Sequence, residues 1–230
     1  MAASKRTYSR EIALIPGQAA LLLVDMQNYC CHPEGGLFRD CPPAELAQRY
    51  GHYLRQLETV VVPNLQRLVA ACRETGVEVM HTTIESLTAD GRDQSLDYKI
   101  SDILVPRGSW DGQVIDALAP ICDEIRLPKT ACSVFNATNI DYILRNLGVS
   151  QLVIGGVVTD QCVESAVRDA CDRGYLVTLV DDGCTAFTAE RHRASLAALA
   201  GYCRQRPTEV LLDEIRGQRA RVVAQGGIAR

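Results

Sequence analysis

Three residues of types suited to nucleophilic catalysis stand at element junctions in this sequence. Cys162 lies in Gly155-Gly156-Val157-Val158-Thr159-Asp160-Gln161-Cys162-Val163, after the apolar run Gln151-Leu152-Val153-Ile154 and ahead of a helical pattern that begins near Glu164. A cysteine where a strand turns into a helix has backbone N–H groups and the helix dipole aimed at its thiol, which favours the thiolate. The same turn can supply an oxyanion hole, here from the backbone N–H groups of Val158 and Cys162. Asp25 closes Ala20-Leu21-Leu22-Leu23-Val24-Asp25, and a carboxylate directly after a buried run is costly unless it is paired. Lys129 follows Ile125-Arg126-Leu127-Pro128 at another strand end. Each has a bland alternative: Cys162 as a small buried hydrophobe, Asp25 as the cap of its turn, Lys129 as a solvated cation. Converging on one crevice, they describe a cysteine hydrolase without histidine. In it Asp25 takes and returns a proton, Lys129 favours the charged forms of Asp25 and the thiol, and Cys162 attacks. Of the four histidines, His32 and His52 fall in loops, His81 in a strand and His192 in a helix. None sits in a Cys-His signature, and His81 stays open as a residue lining the site.

The elements that must position these residues alternate between strand and helix. Strands are predicted over 19–25, 77–83, 124–127, 151–154 and 175–180, with a sixth, edge strand over 209–212. Helices are predicted over 63–74, 137–147, 160–173 and 189–202, three of them ended by Gly76, Gly148 and Gly174. Near-continuous apolar strands in repeated β-α-β units imply a six-stranded parallel sheet with helices on both faces, an α/β, Rossmann-like three-layer sandwich. Ligands of such sheets bind beyond the carboxyl ends of the strands. The segments 28–50 and 85–110 read as long loops at that edge, where function tends to sit. No repeat or linker divides the chain. It reads as an N-terminal extension (1–17), one domain (18–213) and a C-terminal tail (214–230), the latter a mobile or interface-docked extension.

The bulk composition narrows the function classes. A net charge of −4 with scattered Lys and Arg gives no nucleic-acid surface, and no apolar run approaches the length that spans a membrane. The first ten residues are polar and basic without an apolar run behind them, unlike a secretory signal. Ten cysteines without a disulfide or C-x-x-C framework point to a reduced, cytoplasmic setting and to no metal.

The chain resembles the isochorismatase-like cysteine hydrolase superfamily, whose members include ureidoacrylate, N-carbamoylsarcosine and biuret amidohydrolases and nicotinamidases. The resemblance is carried by Leu22-Leu23-Val24-Asp25-Met26-Gln27-Asn28, by Lys129-Thr130-Ala131-Cys132-Ser133-Val134-Phe135 with Thr138, and by the Gly155 to Val163 stretch. Arg168-Asp169-Ala170, Gly174-Tyr175 and Val180-Asp181-Asp182 add to it in the family's order. The resemblance implies the triad Asp25, Lys129 and Cys162, and a cis peptide between Val157 and Val158 that turns the Val158 N–H into the site. It makes Gln27, Asn28, Glu85, Ser133 and Phe135 candidates for substrate binding, with Glu85 equally a loop acid and Phe135 equally core. It also implies no cofactor, a homodimer or homotetramer, and a small amide or ureido substrate.

Two departures narrow the subfamily. Cys162 argues against isochorismatase activity, which needs no nucleophilic cysteine. The stretch His81-Thr82-Thr83-Ile84-Glu85-Ser86-Leu87 lacks the Asp-x-His metal motif of nicotinamidases. The expected activity is therefore hydrolysis of a C–N bond in a small amide or ureido compound through a thioester, releasing ammonia or an amine. The alternatives are a nicotinamidase-like or lactam-opening hydrolase, or a non-catalytic binding member. The substrate is expected to carry a carboxylate, with which any one of Arg92, Lys99 and Arg107 could pair, each also readable as a solvated loop charge.

Overall fold

The computed structural model describes residues 8–224, with side chains described through residue 217. Six strands, β1 (Ala19–Val24), β2 (Glu78–Ile84), β3 (Ile125–Lys129), β4 (Gln151–Val157), β5 (Leu176–Thr185) and β6 (Arg204–Arg206), form one sheet in the order β3-β2-β1-β4-β5-β6. All neighbours run parallel. The order reverses between β1 and β4, so the switch point opens beside the carboxyl ends of these two strands. Around the sheet lie α1 (Asn28–Cys31), α2 (Pro43–Gln56), α3 (Val62–Thr75), α4 (Leu96–Ile100), α5 (Val134–Ala137), α6 (Ile140–Asn146), α7 (Glu164–Asp172), α8 (Ala189–Leu199) and α9 (Thr208–Ala224).

The period-two alternation of β1 divides the core. Leu21 and Leu23 join Leu65 and Leu68 of α3 and Leu211, Leu212 and Ile215 of α9 on one face. Ala20, Leu22 and Val24 join Ile140 and Leu144 of α6 and Ala166, Val167 and Ala170 of α7 on the other. All six residues of β1 are buried, as a strand covered on both sides requires.

Gly156 belongs at the centre of this arrangement. Its φ is 125°, and a Cβ there would stand 2.2 Å from the Val24 carbonyl oxygen. Only glycine lets the end of β4 approach β1 this closely.

Several elements differ from the sequence expectations. The sixth strand is Arg204–Arg206, not 209–212. The apolar residues Leu211, Leu212 and Ile215 recur at helical spacing and form the buried stripe of α9. Asp182 starts that helix by accepting from the Thr208 N–H at 2.8 Å and from its hydroxyl at 2.7 Å. The expected tail is thus mostly helix: Ile215 is fully buried, and Arg204 grips Glu214 with two bonds of 2.9 Å. Residues 225–230 lie outside the described residues. The segment 28–50 is not simply a loop, since α2 begins at Pro43 and continues through one π-helical turn, Leu57–Val61, into α3. That turn directly precedes Pro63, which lacks an N–H to donate; the chain widens one turn there rather than breaking the helix. No helix among the described residues is long and apolar enough to cross a membrane.

Candidate active site

The carboxyl ends of three strands bring Asp25, Lys129 and Cys162 together. Asp25 is the residue after β1, at φ 53°, a left-handed conformation that aspartate tolerates better than most residues. Lys129 is the last residue of β3, and its register partner is Ile84, the last residue of β2. Cys162 lies in the π-helical turn Thr159–Val163 that joins β4 to α7. The Val157–Val158 peptide bond before it is cis.

Lys129 is the hub. Its side chain is completely buried, and its Nζ lies 2.9 Å from Asp25 Oδ2. The same ammonium donates to Tyr98 Oη at 2.8 Å, to Cys162 Sγ at 3.2 Å and to the Ala131 carbonyl at 3.2 Å. Burial alone would push this lysine down; Asp25, Cys162 and Tyr98 outweigh burial and hold it well above its ordinary value. It is therefore charged throughout the physiological range. Asp25 Oδ1 accepts from the Thr82 hydroxyl at 2.8 Å, while Oδ2 has only the ion pair and no aligned hydrogen bond. A buried carboxylate with one committed and one uncommitted oxygen is suited to exchanging a proton.

Cys162 is 6 % exposed, and its sulfur touches more than the lysine. Tyr98 Oη is 3.8 Å away, and Cys132 Sγ is also 3.8 Å away. The contact with Cys132 and burial push the Cys162 thiol up, while Lys129 pulls it down. The same contact pushes the half-buried Cys132 thiol down to about 6. The two thiols are therefore coupled: the contact that favours the thiolate on Cys132 disfavours it on Cys162.

The five substrate-binding candidates fare differently. The Gln27 amide is used up: Nε2 donates to the Ile84 and Asp111 carbonyls at 2.9 and 3.0 Å, and Oε1 accepts from the Ile84 N–H at 2.5 Å. Asn28 Nδ2 donates to the Trp110 carbonyl at 3.0 Å. Glu85 is buried, but its Oε1 accepts from the Gly108 N–H and its Oε2 from Arg126, both at 3.0 Å. The Ser133 hydroxyl donates to Asp169 and caps α5, accepting from the Phe135 N–H at 3.2 Å. Phe135 packs in the core beside Tyr175. The polar groups of Gln27, Glu85 and Ser133 thus all have partners within the protein, and Phe135 is part of the core. Of the loop cations, Arg92 pairs with Asp90 at 3.0 Å, Lys99 donates to the Arg92 carbonyl at 2.9 Å, and Arg107 is exposed. His81 faces Glu124 at 3.3 Å, and burial lowers its pKa. Among the described residues no group of three or more His, Cys, Asp or Glu could hold a metal ion.

Tyr98, Thr82 and Cys132 carry no role in the sequence reading although they touch the triad. Tyr98 sits on the five-residue α4 inside a polar segment, where neither periodicity nor a motif marks it. Cys132 is three residues from Lys129 within the matching motif, and that proximity was the available signal.

Comparison with known proteins gives the family and the fold. The isochorismatase domain model matches residues 19–210. A ureidoacrylate amidohydrolase RutB from Rhizobium rhizogenes is 30 % identical over 187 residues, covering 74 % of this chain and 72 % of that protein. The corresponding enzyme of Acinetobacter baylyi is 30 % identical over 202 residues, covering 80 % and 78 %. Among solved structures, a cysteine hydrolase from Pseudomonas syringae aligns with TM-score 0.78 at 26 % identity, covering 90 % of this chain and 97 % of that one. An N-carbamoylsarcosine amidase from Thermoplasma acidophilum aligns with TM-score 0.64 at 25 % identity, covering 83 % and 96 %. With the parallel six-stranded sheet and a family match over most of its length, this chain belongs to the isochorismatase domain family and is a hydrolase.

Proposed function

We propose that the protein is a cysteine-dependent amidohydrolase that cleaves a C–N bond of a small amide or ureido compound through a thioester on Cys162. The observation that carries this reading is the buried Lys129 ammonium, which touches the Asp25 carboxylate at 2.9 Å and the Cys162 sulfur at 3.2 Å. Placing an ion pair in a fully buried position costs stability unless every charge is compensated, and here the compensation converges on a thiol.

In the first step Asp25 takes the Cys162 proton on its uncommitted oxygen, and the sulfur attacks the substrate carbonyl. The backbone N–H groups of Val158 and Cys162 hold the oxyanion. Asp25 then returns the proton to the leaving nitrogen, which departs as ammonia or an amine. Water, deprotonated by Asp25, hydrolyses the thioester and restores the thiol. Lys129 stays charged and stabilises the anionic states of both partners. Tyr98, whose hydroxyl burial keeps protonated, positions the ammonium from the other side.

The surface beside the triad supports a small substrate. A groove of about 490 Å³ lined by Ser95, Asp97, Cys132, Asn136 and Ser165 ends against Cys132, which touches Cys162. Its cation, Arg168, is already paired with Glu164 at 2.7 Å. The groove is of a size for a small amide or ureido compound. Ureidoacrylate and N-carbamoylsarcosine, named for the relatives above, each join a ureido group to a carboxylate.

The test is ammonia release over a panel of small amides and ureas by the wild type and by Cys162→Ala. The reading requires turnover of at least one compound of the panel, neutral or carboxylated, and its loss in the variant. Undiminished turnover by Cys162→Ala rejects the thioester route.

A further inference from the structure

Ten free cysteines surround or underlie the sheet, but their sulfurs differ in what they face. Cys72, Cys184 and Cys203 are buried in the core, and burial pushes their thiols up. Cys30 and Cys31 touch at 3.9 Å, but they are sequence neighbours, and Cys30 donates to the Asp25 carbonyl at 3.1 Å. Cys132 and Cys162 are different. They are thirty residues apart in sequence, sit on separate elements and place their sulfurs 3.8 Å apart at the foot of an open groove.

Three observations make this pair chemically distinct. Lys129 Nζ lies 3.2 Å from one sulfur, so positive charge stands over the pair. Cys132 lies between the end of β3 and the start of α5, outside both elements, so its side chain can close the remaining distance without breaking a strand. A disulfide needs about 2.05 Å between the sulfurs, a shift of under 2 Å from the present contact. Cys132 is also half-exposed and lines the groove, whereas Cys162 is nearly covered. A small oxidant that enters as a substrate would therefore meet both sulfurs.

We propose that Cys132 and Cys162 form a redox modification site, in which a hydroperoxide oxidises one sulfur and the other resolves it into a reversible intramolecular disulfide. The thiolate attacks the peroxide O–O bond; with one proton taken up, the products are a sulfenic acid and an alcohol, or water when the oxidant is hydrogen peroxide. The second sulfur displaces hydroxide from the sulfenic sulfur, giving the disulfide and one water. The two cysteines have lost two electrons and the peroxide has gained them. A dithiol reductant returns both thiols by exchange through a mixed disulfide. The result is the same whichever sulfur holds the negative charge at the outset. The site shuts the hydrolase under oxidising conditions and keeps Cys162 from the irreversible sulfinic and sulfonic acids. It rests on the reading of Cys162 as the reactive thiol.

The sequence makes the test direct. Trypsin cleavage after Lys129, Arg145 and Arg168 leaves Cys132 and Cys162 as the sole cysteines of two separate peptides, 130–145 and 146–168. Intact wild-type protein and the variants are treated with an excess of hydrogen peroxide over protein, since sulfinic acid consumes two peroxides per thiol, then blocked with iodoacetamide and digested without reductant. The expected product is a cross-link of these two peptides that dithiothreitol dissolves, with hydrolysis recovered in parallel. In Cys132→Ser, and in Cys132→Ala as a second variant lacking any hydroxyl, the Cys162 peptide should instead advance to sulfinic acid and resist dithiothreitol. A wild-type Cys162 that goes to sulfinic acid at the same rate as in both variants overturns the inference, as does cross-linking of Cys162 to another cysteine. If turnover survives in Cys162→Ala, the functional reading fails; if turnover needs Cys162 but no cross-link forms, only the redox site fails.

Discussion

The ends of β1 and β2 each bury a carboxylate, and the two are used in opposite ways. Asp25 follows β1 and is 1 % exposed; Glu85 follows β2 and is 3 % exposed. Both oxygens of Glu85 are committed, one to the Gly108 N–H and one to Arg126, so it fastens the long connection after β2 to the sheet. Asp25 commits one oxygen to Thr82 and leaves the other facing a buried ammonium beside a thiol. Burial alone therefore does not mark a catalytic acid. The number of lone pairs left without a structural partner separates the two.

Breaking the Asp25 side should have the largest effect. Asp25→Asn removes the proton acceptor, and kcat/KM should fall by about 10²–10⁴-fold, the usual contribution of a positioned base. Lys129→Met should be similarly inactive. Each single variant also leaves a buried charge unpaired, which costs about 3–5 kcal/mol of stability. The double variant Asp25→Asn/Lys129→Met should regain much of that stability and none of the activity. Denaturant unfolding alongside steady-state kinetics separates the two effects. Additive destabilisation in the double variant would mean that the two charges do not compensate each other.

Tyr98→Phe comes next. It removes the hydroxyl that accepts from Lys129 at 2.8 Å and approaches Cys162 at 3.8 Å, while keeping the buried ring. The expected result is a loss of about tenfold in kcat, on the order of one charge-assisted hydrogen bond. The pH–rate profile should shift as well, and no change in that profile would make Tyr98 a packing residue alone.

Glu85→Gln sharpens the contrast from the other side. Hydrolysis should stay within a few-fold of wild type, and the unfolding free energy should drop by about 1 kcal/mol, because Arg126 is partly solvated. A loss comparable to that of Asp25→Asn would place Glu85 in the chemistry after all.

The smallest effect lies on β2 away from the triad, at His81. Burial holds its imidazole below the ordinary value, so the unfolded chain binds a proton more readily than the folded one. Its contribution to stability is complete above the unfolded pKa of about 6.5 and is lost as the pH falls below it. His81→Gln should make the decline in unfolding free energy between pH 7 and pH 5 shallower, by about 1 kcal/mol or less.

The same contrast explains how much could be read before the structure. Asp25 was legible because a carboxylate directly after an apolar run is conspicuous, Lys129 and Cys162 because they stand at element junctions within the family's motifs. The helices ended by Gly76, Gly148 and Gly174 were equally plain. What stayed hidden depends on tertiary bookkeeping. Val210, Leu211 and Leu212 form a short apolar run that fits a strand or a helix, and only packing against α3 decides for α9. Glu85, Gln27 and Ser133 were binding candidates through the family resemblance, which says nothing of the partners their side chains find within the protein. Their partners, at Gly108, Ile84 and Asp169, lie far along the chain, and no local pattern announces them. Tyr98 was silent for the reverse reason, since a single tyrosine in a polar segment gives no sign that it will be folded onto a lysine.

The central claim is that Cys162, backed by Asp25, forms a covalent bond with the substrate, and trapping that bond tests it most directly. The wild type is mixed with an amide that it turns over and quenched in acid during the first turnover, and the 146–168 peptide is weighed by mass spectrometry. The account predicts an acyl adduct on Cys162 that appears before steady state, is absent in Cys162→Ala, and fails to form at the wild-type rate in Asp25→Asn. Full turnover with no adduct on Cys162 at any time, or an adduct that forms equally fast in Asp25→Asn, would contradict it.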